Sequence, residues 1–171
     1  MSRSSARNVS GLAAVVSLSL APLLAGCGFT PLYATPVSSG LSAIQVEAPQ
    51  GRVAYLLRED LDDALGRDKS AAPAWRLDIS LVQTRTPKGL NLQDVAERYE
   101  VGLTVKYSLT AIATNKVVHE GSVTTQVSYD EADAPYAGIA ARQDTQERAA
   151  SDAARRIQIE LAAWLARHSA G

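Results

Sequence analysis

The chain has 171 residues, of which 46% are hydrophobic and 20% charged, with 17 Lys and Arg against 18 Asp and Glu and a formal charge of −1. That balance lacks the clustered positive charge that nucleic acid requires of a partner. A single cysteine excludes an internal disulfide and a cysteine-based zinc cluster.

The N-terminus carries Arg3 and Arg7 with no acid, then runs from Gly11 to Gly26 almost wholly through Leu, Ala, Val and Ser. This is the layout of a secretory signal. A spanning helix needs about 20 apolar residues, whereas this run is shorter, contains Pro22 and ends in small residues. It closes on Leu24-Ala25-Gly26-Cys27, with a bulky apolar residue at −3, small residues at −2 and −1, and the only cysteine at +1. The string resembles the lipobox of bacterial lipoproteins. That resemblance implies cleavage between Gly26 and Cys27, a diacylglycerol on the Cys27 thiol and acylation of the new amine. One chain binds a membrane only marginally, and two or three hold it stably. Gly28 at +2 is not the aspartate that retains such lipoproteins in the inner membrane, so the outer membrane is expected.

Cleavage there leaves 145 residues and a formal charge near −3, the size of one domain with a real core. The expected organisation is a signal peptide over 1–26, a lipidated tether over 27–41 and a single α/β domain over 42–171. The segment from Gly28 to Gly40 is rich in Pro, Ser, Thr and Gly and reads as an extended tether without a regular element.

Ser42 to Glu47 alternates apolar and polar residues before Pro49 and Gly51, which predicts a short first strand. From Arg52 to Leu65, Val53, Leu57, Leu61, Ala64 and Leu65 share one face of an amphipathic helix that Gly66 stops. Trp75, Leu77, Ile79 and Leu81 alternate with Arg76, Asp78, Ser80 and Val82 in a second strand that ends before Pro87-Lys88-Gly89. Strand, helix and strand suggest a crossover unit.

A loop is expected from Arg85 to about Glu97. Tyr99, Val101, Leu103, Val105, Tyr107, Leu109 and Ala111 then recur at every second position, the period of a strand with one buried face. Thr114-Asn115-Lys116 fits a hairpin turn, and Val117 to Tyr129 alternates again. From Asp133 to about Arg167, Ala150, Ala153, Ala154, Ile157, Leu161, Trp164 and Leu165 form one helical stripe.

The fold class expected from this order is α+β, a two-layer sandwich with two helices packed on one face of a four-stranded, mostly antiparallel sheet. The other face, carrying Thr104, Lys106, Ser108, Thr110, Thr124 and Gln126, should be solvated or meet a polar partner.

Gly26-Cys27-Gly28-Phe29-Thr30-Pro31-Leu32-Tyr33, directly behind the lipobox and ahead of this element order, resembles the LPS-assembly lipoprotein LptE family. The resemblance implies an outer-membrane lipoprotein that faces the periplasm, plugs the β-barrel translocon LptD, assists its assembly and contacts lipopolysaccharide in transit. The implied partners are an LptD-like barrel, lipopolysaccharide and the membrane itself, with no cofactor beyond the covalent lipid on Cys27. Lipopolysaccharide phosphates call for Arg or Lys donors, and Arg85, Lys88 and Lys116 are the candidates.

Other classes find less support in the residues. The only histidines are His119, in a predicted strand, and His168 near the C-terminus. No metalloprotease, nucleophile-elbow, P-loop or dinucleotide motif occurs, so no enzyme is expected. Glu59, Asp60, Asp62 and Asp63 lack EF-hand spacing and read as a solvated helix face, not a metal site. The runner-up is an auxiliary lipoprotein of an envelope phospholipid-transport system.

Overall fold

The computed structural model describes residues 35–90, 96–131 and 135–168. In chain order the elements are α1 (Thr35–Ser42), β1 (Ile44–Glu47), α2 (Arg52–Leu65), β2 (Trp75–Leu90), β3 (Ala96–Ala111), β4 (Lys116–Asp130) and α3 (Pro135–His168). The four strands form one sheet in the order β1-β2-β3-β4. β1 runs parallel to β2 through Ile44↔Trp75 to Glu47↔Asp78, and the other two pairings are antiparallel. The α+β class and the sheet agree with the sequence reading, and among the described residues there are three helices, one more than expected.

Alternation sets the two faces. Leu77, Ile79, Leu103, Val105, Tyr107, Leu109 and Val123 are buried in one core with Leu57 and Leu61 of α2 and Ile157 and Leu161 of α3. The intervening positions Ser80, Lys106, Thr124 and Gln126 are exposed on the outer face. Thr110 departs from the expected outer set because it is buried, beside a register shift in the β3–β4 ladder. Each large aliphatic side chain removed from water in this way contributes about 1.5–3 kcal/mol before the entropy of ordering it.

α2 ends as its sequence dictates. Gly66 takes the left-handed conformation with φ of 61°. Its N–H donates to the Asp63 carbonyl at 3.1 Å, and that of Arg67 to the Asp62 carbonyl at 3.0 Å. This pair of bonds satisfies carbonyls left open at a helix end.

The expected loop from Arg85 to Glu97 is corrected. β2 continues to Leu90 and β3 starts at Ala96, with Arg85 opposite Val101 and Pro87 opposite Tyr99. β1 reaches only Asp78, so from Ile79 onward the outer side of β2 has no strand neighbour among the described residues. Proline is tolerated on such an edge because its missing N–H removes no ladder bond.

Residues 35–42 also differ from the expected extended segment. They form α1, with Val37 and Leu41 buried and Gly40 against Leu165 of α3, where a Cβ would stand 3.1 Å from the leucine methyls. The 34-residue α3 begins with a proline, whose fixed φ suits the first helical position. Its Ala149, Ala150, Ala153 and Ala154 are buried against the sheet, close enough that the Thr125 hydroxyl donates to the Ala149 carbonyl at 3.2 Å.

Candidate functional site

Gly26 and Cys27, the expected cleavage and lipid-attachment positions, lie outside the described residues. The three candidate cations lie within them, and the sheet separates them into two places. Lys116 pairs with Ala111 at the β3–β4 turn, and Ala111 pairs in turn with Trp75. Arg85 lies ten residues further along β2, about 33 Å away at the rise of an extended strand.

Arg85 shares the helix-facing parity of β2. Its guanidinium carbon sits 3.3 Å from the centroid of the Tyr99 ring, and Tyr99 stacks on Tyr129 at 5.7 Å. Its Nε donates to the Tyr129 hydroxyl at 2.7 Å, and its Nη2 to Glu131 at 2.7 Å. A planar fork over a ring is an arrangement that lysine cannot reproduce. Lys88, three positions on, has the opposite parity and pairs with Glu100 at 3.4 Å.

Two further cations stand at the same end of the sheet, and the sequence reading did not single them out. Arg98 donates to Asp130 at 2.7 Å, directly across the β3–β4 ladder. That bond holds the exposed Asp130 carboxyl below its usual range. Arg142 of α3 stands 4.0 Å from Glu131. This end thus brings together Arg85, Lys88, Arg98 and Arg142, each beside a carboxylate.

The opposite end is aromatic. Trp75 meets Trp164 edge-on at 5.6 Å, and Trp164 stacks on His168 at 4.5 Å and on His119 at 5.8 Å. Beside them Tyr107 donates its hydroxyl to Glu160, and burial together with that carboxylate pushes the phenol pKa upward. Gly121 makes this reach possible, since a Cβ there would overlap the Tyr107 ring. Next to Trp75 and Trp164, Gly40, Ala43, Ala74 and Leu165 help to line a small pocket of about 370 Å³.

The outer face of the sheet carries a groove of about 680 Å³, lined by Asp78, Ser80, Lys106, Ser108, Glu120 and Ser122 among others. Its lining of hydroxyls with both signs of charge suits a hydrated or polar neighbour. The acidic face of α2 stays a surface feature. Burial and then the Glu59 and Asp63 carboxylates push Asp60 upward, and no group of three or more metal-ligating side chains occurs among the described residues. Among them, too, no helix is long and apolar enough to cross a membrane.

Comparison with known proteins places this architecture. A chain from Caulobacter crescentus CB15 described as a lipoprotein is 47% identical, superposes with a TM-score of 0.68, and the match covers 77% of this chain and 96% of that one. The rare lipoprotein B of Shewanella oneidensis, 15% identical, matches over 74% of this chain and 96% of its own with a TM-score of 0.57. Lipoprotein B of Nitrosomonas europaea, 17% identical, matches over 72% and 83% with a TM-score of 0.51. These last two likenesses are of fold. No curated protein sequence matches the chain. The model of the family LptE, described as lipopolysaccharide-assembly, matches residues 41–161, and with most of the folded chain inside that match, the protein belongs to the LptE lipopolysaccharide-assembly family.

Proposed function

We propose that the chain is an outer-membrane lipoprotein on the periplasmic side, which complexes with and plugs an LptD-like β-barrel. There it assists barrel assembly and the insertion of lipopolysaccharide. The observation that carries this reading is the Gly26-to-Tyr33 string behind a lipobox, joined to a domain matched by the LptE family over residues 41–161. In this reading the signal peptide is removed before Cys27, and lipid on that cysteine is the only attached group. The lipid keeps the domain at the membrane surface and raises its effective concentration near a barrel.

The outer sheet face supports a lumenal location. Lys106, Ser122, Thr124 and Gln126 are polar and exposed along it, and barrel lumens are polar. The role we assign is non-catalytic: the domain positions other molecules. For lipopolysaccharide, the Arg85 and Lys88 end is the better contact. Arg98 and Arg142 join those two there, whereas Lys116 stands at the other end of the sheet.

Affinity purification of a C-terminally tagged chain from gently solubilised outer membranes tests the reading. A large β-barrel protein recovered one to one is the expected result. Recovery of phospholipid-transport components, or of no stoichiometric partner, rejects the barrel assignment while leaving family membership intact.

A further inference from the structure

The β3–β4 turn carries apolar side chains that the fold leaves in solvent. Ile112, Val117 and Val118 are 44%, 54% and 37% exposed. Their exposure is built into the ladder. Leu109 pairs with His119 and Thr110 with Val117, so Val118 is an extra residue on β4. A bulge of this kind re-aims side chains, and here two consecutive valines face outward where strict alternation would turn one of them inward. Lys116 stands beside them, exposed.

The position of this tip relative to α1 is fixed by hydrogen bonds. Ala43, just after α1, accepts a bond from the Ala74 N–H at 3.0 Å, and the Ala74 carbonyl accepts one from the Ile112 N–H at 3.1 Å. α1 and the β3–β4 turn therefore lie at the same end of the sheet. α1 is eight residues long, or about 12 Å. The eight Cα steps from Cys27 to Thr35 span at most about 28 Å. Lipid on Cys27 thus tethers the domain to the bilayer through this end of the sheet. The other strongly exposed large apolar side chains among the described residues are spread singly or in a pair: Tyr55 at 62% on α2, Val82 at 64% on β2, Ile159 at 53% on α3, and Tyr136 at 88% with Ile139 at 51% at the start of α3, beside the far end of the sheet.

We propose that the β3–β4 turn is a membrane-contact tip. Ile112, Val117 and Val118 enter the interfacial layer of the leaflet that holds the Cys27 acyl chains, and Lys116 meets lipid phosphates. The tip adds a second point of contact to the anchor and so fixes the tilt of the domain against the surface. This inference rests on the lipidation of Cys27 set out above.

The test uses the full lipidated chain carrying Val117→Cys, labelled with an environment-sensitive fluorophore. Cys27 is the only native cysteine, so with its thiol in a thioether the new one is labelled alone. The protein is reconstituted into vesicles of phosphatidylethanolamine and phosphatidylglycerol, with and without brominated acyl chains. A blue-shifted emission that brominated lipid quenches is expected at position 117. A label at Tyr136→Cys should keep the emission of water. Equal, unquenched emission at both positions on vesicles that the protein does bind overturns the tip and leaves the anchor standing. A dry label at 117 in the unlipidated Cys27→Ser chain, with its only reactive thiol at 117, assigns the tip to contact between copies and also overturns the proposal. If mass spectrometry finds no acyl group on Cys27, the anchor reading fails and the tip fails with it.

Discussion

His119 sits on β4 with its ring 5.9 Å from that of Tyr107 and 5.8 Å from that of Trp164. Its Nε2 is buried with no hydrogen-bond partner among the described residues. Burial holds its pKa below 6.5, opposed by Glu160 and assisted by Arg167 and His168. A base whose pKa is depressed on folding binds its proton more readily in the unfolded chain. Stability is therefore full above the unfolded value near 6.5 and falls as the pH drops toward the folded value. Urea unfolding at about pH 8 and about pH 5 should show this loss, and His119→Phe, which keeps a ring beside Trp164, should shrink it. An equal loss in the variant would assign the pH dependence to other groups. The alternating pattern places His119 in a strand, but its orphan nitrogen was not legible. That depends on an inserted residue in the ladder and on a helix some forty positions later, neither of which marks the local sequence.

At the scale of the element, strict alternation makes β3 and β4 readable because one face is buried along most of their length. The misreadings arise where tertiary context overrides local chemistry. Thr35–Ser42 contains three serines and a glycine, poor helix formers in isolation. It is helical because Val37 and Leu41 find a place in the core and Gly40 lets α1 approach Leu165. Pro87 is a strand breaker in the interior of a sheet, yet it lies where β2 has lost its β1 neighbour. The dependence of α1 on packing has a direct consequence. Leu41 is 4% exposed, and Leu41→Ala should cost about 2–4 kcal/mol in urea unfolding, the usual range for emptying a leucine site. The loss should be accompanied by faster amide exchange across residues 35–42. A cost below about 0.5 kcal/mol would mean that α1 is a passenger on α3.

On the scale of the whole molecule, the long antiparallel strands carry two different surfaces to opposite ends. Near α1 lie the aromatic layer and the exposed turn. About ten residues of strand away lie Arg85, Lys88, Arg98 and Arg142 with their carboxylate partners. The sequence offered Arg85, Lys88 and Lys116 together, since nothing in a linear chain says that Arg85 and Lys88 lie about 33 Å or more from Lys116. It also hid Arg98 and Arg142, whose acidic partners Asp130 and Glu131 come from the distant end of β4. If lipopolysaccharide phosphates meet the cationic end, the Lys88→Ala, Arg98→Ala double variant should weaken lipopolysaccharide capture by the purified lipidated chain. The expected loss is about fivefold, the weight of roughly 1 kcal/mol from two exposed charge contacts. The difference should shrink in high salt, because exposed charges are screened within about 10 Å at 0.1 M. Lys116→Ala should leave capture unchanged, since its charge serves the membrane end. Equal losses in the two variants would reject the division of labour between the ends, and a loss in Lys116→Ala alone would reverse it.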